Sequence, residues 1–210
     1  VPEFIKKSQK NAKKKWVKRF YFCHVGRTGG RSIIWNFIQD GWDVVQDEKE
    51  RPTREEVFQG YKSKRGTDRI MPQESFAIVR HPISRIESHV RWAVKNKKLD
   101  PRKECVFEFI HNSIENMFEV ELGRHIIPAF ECVLFDSTVI QYELGFRNIA
   151  DYLVQNKFVE KWKKNIRIRE DGKVRFDWSK CPEKTRDIIL KTYELDFENF
   201  DYDPFDFLKK

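Results

Sequence analysis

Nothing in this chain approaches the roughly 20 consecutive apolar residues needed to cross a bilayer; its apolar runs are of the length of Phe76-Ala77-Ile78-Val79. No membrane span is expected within these residues. The chain also does not open with the charged, apolar and small-residue succession of a secretory signal, and a start at Val1 instead of Met suggests that upstream residues were removed. Cysteine is sparse. The four thiols, Cys23, Cys105, Cys132 and Cys181, lie far apart, with no CxxC and no Cys/His cluster at zinc spacing. They read as free, mostly structural thiols, with a disulfide as the alternative if the protein is secretory, and no metal site is expected. A Walker A loop is missing too, since no glycine-lysine-serine/threonine run is present.

What is present is ample core material and an excess of positive charge. The 210 residues are 40% hydrophobic with 18 Phe and 6 Trp, enough for one compact domain. A net charge of +8 implies an anionic partner, whether nucleotide, polyanion, nucleic acid or membrane surface, and charge alone does not choose among them. Much of the excess sits in Lys6, Lys7, Lys10, Lys13, Lys14, Lys15, Lys18 and Arg19. Residues 1–19 therefore read as a basic, flexible leader, with a polyanion-binding arm as the alternative, and 20–210 as the folded domain.

Hydrophobic periodicity predicts strands alternating with helices. Phe20 to Val25 is an apolar run ending at Gly26, too short for a helix and suited to a buried strand. Ile33, Ile34, Phe37 and Ile38 mark one face of a helix over Ser32 to Gln39, stopped by Gly41, and Trp42 to Val45 is a short strand. Residues 46–74 read as loop with a short helix near Thr53 to Tyr61. Phe76 to Arg80 is a further buried strand. Ile83, Ile86, Val90 and Ala93 then repeat at helical spacing behind Pro82, whose missing N–H is harmless there. A helix over Val106 to Leu122, a strand over Thr138 to Tyr142 and a helix over Glu183 to Leu195 complete the pattern. The fold class this predicts is α/β: a single P-loop-like domain with a central, mostly parallel sheet flanked by helices.

Two segments carry chemistry. Val25-Gly26-Arg27-Thr28-Gly29-Gly30-Arg31-Ser32 lies between a predicted strand and a predicted helix, where backbone amides and the positive end of the helix dipole favour an anion. Gly26, Gly29 and Gly30 permit close approach, Arg27 and Arg31 supply charge, and Thr28 and Ser32 supply hydroxyls. The second, Phe76 through Ser88, runs strand, basic residue, proline, helix. It places Arg80 at the carboxyl end of a strand, where ligands of open α/β sheets bind, and Ser88 about two helical turns on.

Together the segments resemble the PAPS-dependent sulfotransferase superfamily (PAPS is 3'-phosphoadenosine-5'-phosphosulfate), in particular the branch of carbohydrate sulfotransferases. The first is similar to the pattern H-V-x-K-T-G-G-T-S, the loop for the 5'-phosphosulfate; the second to V-R-[DNH]-P-x-x-R-x-x-S, the site for the 3'-phosphate. Cys181 to Tyr202 resembles the family's closing helix with its Y-x-x-D-F-x-x-F-x-Y ending, and His125 to Pro128 and Val139 to Glu143 look like faint versions of its middle motifs. The chain departs from the pattern at Arg27, where the family has Lys, and at Arg31, where Thr is common. Arginine keeps a permanent charge but cannot serve as a proton donor.

The resemblance implies a sulfotransferase that uses PAPS, releases 3'-phosphoadenosine-5'-phosphate (PAP) and acts on an acceptor hydroxyl or amine, carbohydrate among the candidates. It implies nucleotide contacts from Gly26 through Ser32 and from Arg80 and Ser88, with Arg27 stabilising the leaving oxygen. It also implies a base after the second strand. That stretch holds Asp47, Glu48 and Glu50, of which Glu48 and Glu50 share a face if extended; His24 and His125 are second-line bases. Lys163, Lys164 and Asn165 fall near the family's late phosphate-contacting loop. No metal, no dedicated nucleic-acid site and a cytoplasmic location are expected, or the Golgi lumen if an N-terminal anchor was removed. Two alternatives stand beside this reading: a non-catalytic nucleotide- or nucleic-acid-binding module on the same fold, and a P-loop kinase, disfavoured by the missing Walker residues.

Overall fold

The computed structural model describes residues 3–7, 16–39, 43–45, 74–120, 123–156, 158–159, 162 and 174–206. Along the chain these form β1 (Glu3–Lys7), β2 (Trp16–Cys23), α1 (Gly30–Gln39), β3 (Asp43–Val45), β4 (Ser75–Val79), α2 (Pro82–Lys95) and α3 (Val106–Glu115). There follow α4 (Ala129–Cys132), β5 (Thr138–Gln141), α5 (Gly145–Gln155), α6 (Glu183–Thr192) and α7 (Glu194–Asn199). The protein is α/β in class. It divides into two compact units, one of residues 1–79 and 131–168, the other of 80–130 and 169–210.

The first unit holds the sheet, in the order β3-β1-β2-β4-β5. β2, β4 and β5 run parallel, with Phe22 opposite Phe76 and Ile78 opposite Ile140. The apolar runs end up in these strands because parallel strands are covered on both faces: Phe22, Cys23 and Phe76 through Val79 are fully buried. Phe22, Phe76, Ile78 and Ile140 occupy one face by register, and onto them pack Ile33 and Phe37 of α1 and Ile149 and Leu153 of α5. Phe76 is the hub, with the Phe22 ring stacked at 4.8 Å and those of Phe158 and Phe37 tilted at 5.3 and 6.1 Å.

The other half of the sheet departs from a parallel arrangement. β1, within the segment read as a basic leader, pairs antiparallel with both β2 and β3, setting Phe4 opposite Phe20 and Val44. A five-residue strand of this kind leaves almost no local signal, because its stability comes from its partners. The predicted helix near Thr53 to Tyr61 lies outside the described residues.

The second unit is built on helices. α2 buries Ile83, Ile86, Val90 and Ala93, the stripe that predicts it. α3 packs on α6 and is shorter than the periodicity suggests: Asn116 leaves helical geometry at φ −107°, ψ 20°, its amide still bonded back to Asn112, and a run of turns follows. The predicted final helix likewise breaks in two at Tyr193 (φ −107°, ψ 15°), where α6 gives way to α7. The four cysteines are free thiols, Cys105 exposed and the other three buried.

Candidate functional site

In the first unit, β2 connects through α1 to β3 on one side of the sheet, whereas β4 leads on to β5 at the opposite edge. The carboxyl ends of β2 and β4 thus flank the point at which the strand order reverses, the place where open α/β sheets take ligands. The loop from His24 to Gly29 leaves β2 there.

Its backbone is unusual. Arg27 sits at φ +63° and Gly29 at φ +78°. The left-handed region costs a non-glycine residue about 1–2 kcal/mol, so an arginine is kept where glycine would be relaxed, and outliers of this kind cluster at ligand-binding turns. Thr28, between them, is fully buried, and its Oγ1 donates to the Val25 carbonyl at 2.8 Å. That hydroxyl clamps the loop. The amides of Ser32 and Ile33 turn back onto the Gly29 carbonyl at 2.9 and 3.4 Å, and the preceding amides of Gly30 and Arg31 head the helix, the positions at which an α-helix leaves donors unbonded.

Packing accounts for two of the glycines. A Cβ on Gly29 would stand 2.5 Å from Cζ of Phe146, and one on Gly30 would stand 2.1 Å from the His24 ring. Gly26 is buried as well. His24, a second-line base from sequence, stacks on Phe22 at 5.7 Å and fills the space over Gly30. Ser32 is half-buried, its carbonyl accepting from the Asn36 side-chain amide at 3.0 Å. The Arg31 side chain lies outside what is described.

In the second unit, Arg80 is half-buried and precedes the α2 cap, and Ser88 is buried in the second turn of that helix. Glu87, on the same helix, accepts from Arg91 at 2.9 Å through Oε2 and from the Trp178 indole N–H at 2.9 Å through Oε1. The start of α2 is capped by His81. Pro82 has no N–H, the Ile83 amide donates to Nδ1 of His81 at 3.2 Å, and the Arg85 amide donates to the His81 carbonyl at 3.0 Å.

The remaining motif residues converge on one buried network. Arg85 Nη1 donates to Asp196 Oδ2 at 3.3 Å, and Nη2 donates to the Ile127 carbonyl. Asp196 also accepts the amides of Ala129 and Phe130, both at 2.8 Å. The Tyr193 hydroxyl donates to the Ile126 carbonyl, and burial holds its pKa well above the ordinary phenol value. Segments around 85, 126–130 and 193–196 are thus joined. The second-line base His125 is buried against Trp92, ring centroids 4.6 Å apart.

Asp47, Glu48, Glu50, Lys163, Lys164 and Asn165 lie outside the described residues. Sequence reasoning missed Phe146 as the partner of Gly29 and His81 as a cap; the second was readable, since a side-chain acceptor directly before a proline at a helix start is a capping signal. Among the described residues no group of three or more His, Cys, Asp or Glu could hold a metal ion, and no helix is long and apolar enough to cross a membrane. Comparison of the chain with protein-family models, with curated proteins and with solved structures gives no match.

Proposed function

We propose that the chain is a PAPS-dependent sulfotransferase. The observation that carries this reading is Arg27, held at φ +63° in a glycine-rich turn at the strand-order reversal of the sheet. A permanent cation on a constrained backbone, beside helix-terminal amides, suits a dianionic phosphosulfate. In the reaction the acceptor oxygen or nitrogen attacks sulfur in line, the bond from sulfur to the 5'-phosphate oxygen breaks, and the acceptor's proton passes to a base, with Glu48 and Glu50 the candidates. The products are the sulfated acceptor and PAP. Arg27 stabilises the charge that builds on the departing oxygen, while Arg80 and Ser88 recognise the 3'-phosphate that sets PAPS apart from other adenine nucleotides. The acceptor is a hydroxyl or amine compound, carbohydrate among the candidates.

Transfer of labelled sulfate from PAPS to a panel of hydroxyl and amine acceptors tests this. The parent is expected to transfer, and Arg27→Ala to lose about 10²–10³-fold in rate. PAP binding without transfer to any acceptor would favour a non-catalytic nucleotide-binding module instead.

A further inference from the structure

His81 lies between Arg80 and the first turn of α2, and each of its ring nitrogens has a different task. Nδ1 accepts the Ile83 amide at 3.2 Å, so it carries no proton. Nε2 faces the backbone carbonyl of Asp203 at 3.1 Å and must therefore donate to it. Only the tautomer protonated at Nε2 satisfies both contacts. The ring is also wedged edge-on between Phe197, with centroids 5.8 Å apart, and Tyr202, at 5.2 Å. Burial at 8% exposure leaves it little freedom to turn.

From this geometry we infer that His81 is a positioning residue for the 3'-phosphate: it locks the first turn of α2 to the carboxyl-terminal segment 197–203 and so fixes the backbone from which Arg80 projects. This rests on the reading of Arg80 and Ser88 as the 3'-phosphate site. The cap requires a side-chain acceptor for a first-turn amide, which Nδ1 supplies. The same ring donates from Nε2 to the Asp203 carbonyl and packs on the two aromatics.

The test measures PAP and adenosine 5'-phosphate binding to the parent, His81→Ala and His81→Asn, with nitrogen-15 spectra of the parent imidazole. The spectra should show the tautomer protonated at Nε2. His81→Ala should weaken PAP about 10-fold while leaving adenosine 5'-phosphate within about twofold, and His81→Asn, which restores the acceptor, should return PAP to within about threefold of the parent. Equal weakening of both nucleotides would mark a general loss of fold and overturn the inference. So would unchanged PAP affinity in His81→Ala, or a parent ring protonated at Nδ1. A parent that binds the two nucleotides equally would overturn the 3'-phosphate reading itself, whatever tautomer the spectra show.

Discussion

Arg85 and Asp196, 111 positions apart in sequence, form an ion pair 3.3 Å long in which each side chain is 1% exposed. Such a pair is sustained only when its remaining hydrogen-bonding capacity is filled. Here it is filled by the Ala129 and Phe130 amides on the carboxylate and by the Ile127 carbonyl on the guanidinium. The arginine of the second motif and the aspartate of the tail motif therefore act on each other, as structural partners of the residues assigned to the ligand.

Asp196→Ala should accordingly lower stability by about 3–5 kcal/mol, because it strands a buried guanidinium and two amides. Urea denaturation of the purified variant measures this. A loss below about 1 kcal/mol, the size of an exposed pair's contribution, would mean that the network is not holding the unit together.

Gly30→Ala should destabilise the first unit by about 1–3 kcal/mol through overpacking, since its methyl would meet the His24 ring at 2.1 Å. Adding His24→Ala should recover much of that loss, because the obstructing ring is gone. Thermal melts of the two singles and the double form a mutant cycle. Strict additivity would show that Gly30 is needed for a reason other than the histidine above it.

The parts of the fold legible from sequence are those whose reason is local. β2 and β4 show as apolar runs because both faces are covered, and α2 shows in the spacing of Ile83, Ile86, Val90 and Ala93 behind Pro82. α5 is equally legible, since Phe146, Ile149, Ala150 and Leu153 fall at i, i+3, i+4 and i+7. β1 is not, since its strand geometry is set by pairing with β2 and β3, which are distant in sequence. At the site, the glycine-rich turn could be found from residue types, but Thr28 reads equally as a phosphate donor until its bond to Val25 is seen. The place of Asp196 depends on amides some 66 residues away and leaves no local trace.

Arg27 offers a test that separates backbone from charge. Both Arg27→Ala and Arg27→Gly remove the cation and should lower sulfate transfer about 10²–10³-fold. Glycine also relieves the left-handed strain at φ +63°, so Arg27→Gly should be the more stable of the two by about 1 kcal/mol. Paired melting and transfer assays check both halves; equal stabilities would mean that the loop relaxes away from positive φ once the side chain is shortened.

The thiols should react in order of burial. Cys105 is exposed, whereas Cys181 is buried and its thiol pKa is raised, chiefly by burial, with Arg186 partly offsetting. Because a raised pKa keeps the thiol protonated as pH climbs, mild alkylation of the native protein near pH 8 should modify Cys105 alone. Peptide mass mapping reads the sites, and comparable labelling of Cys181 would contradict the packing described for that unit.

Recognition of the 3'-phosphate of PAPS, on which the proposed activity depends, is measured by calorimetric titration of PAP and adenosine 5'-phosphate into the parent and Arg80→Ala. Hydrogen bonds to a charged group contribute about 1.5–3 kcal/mol, so Arg80→Ala should weaken PAP about 10- to 150-fold while leaving the already weak adenosine 5'-phosphate nearly unchanged. Equal affinity of the parent for the two nucleotides would mean that the chain does not recognise the 3'-phosphate.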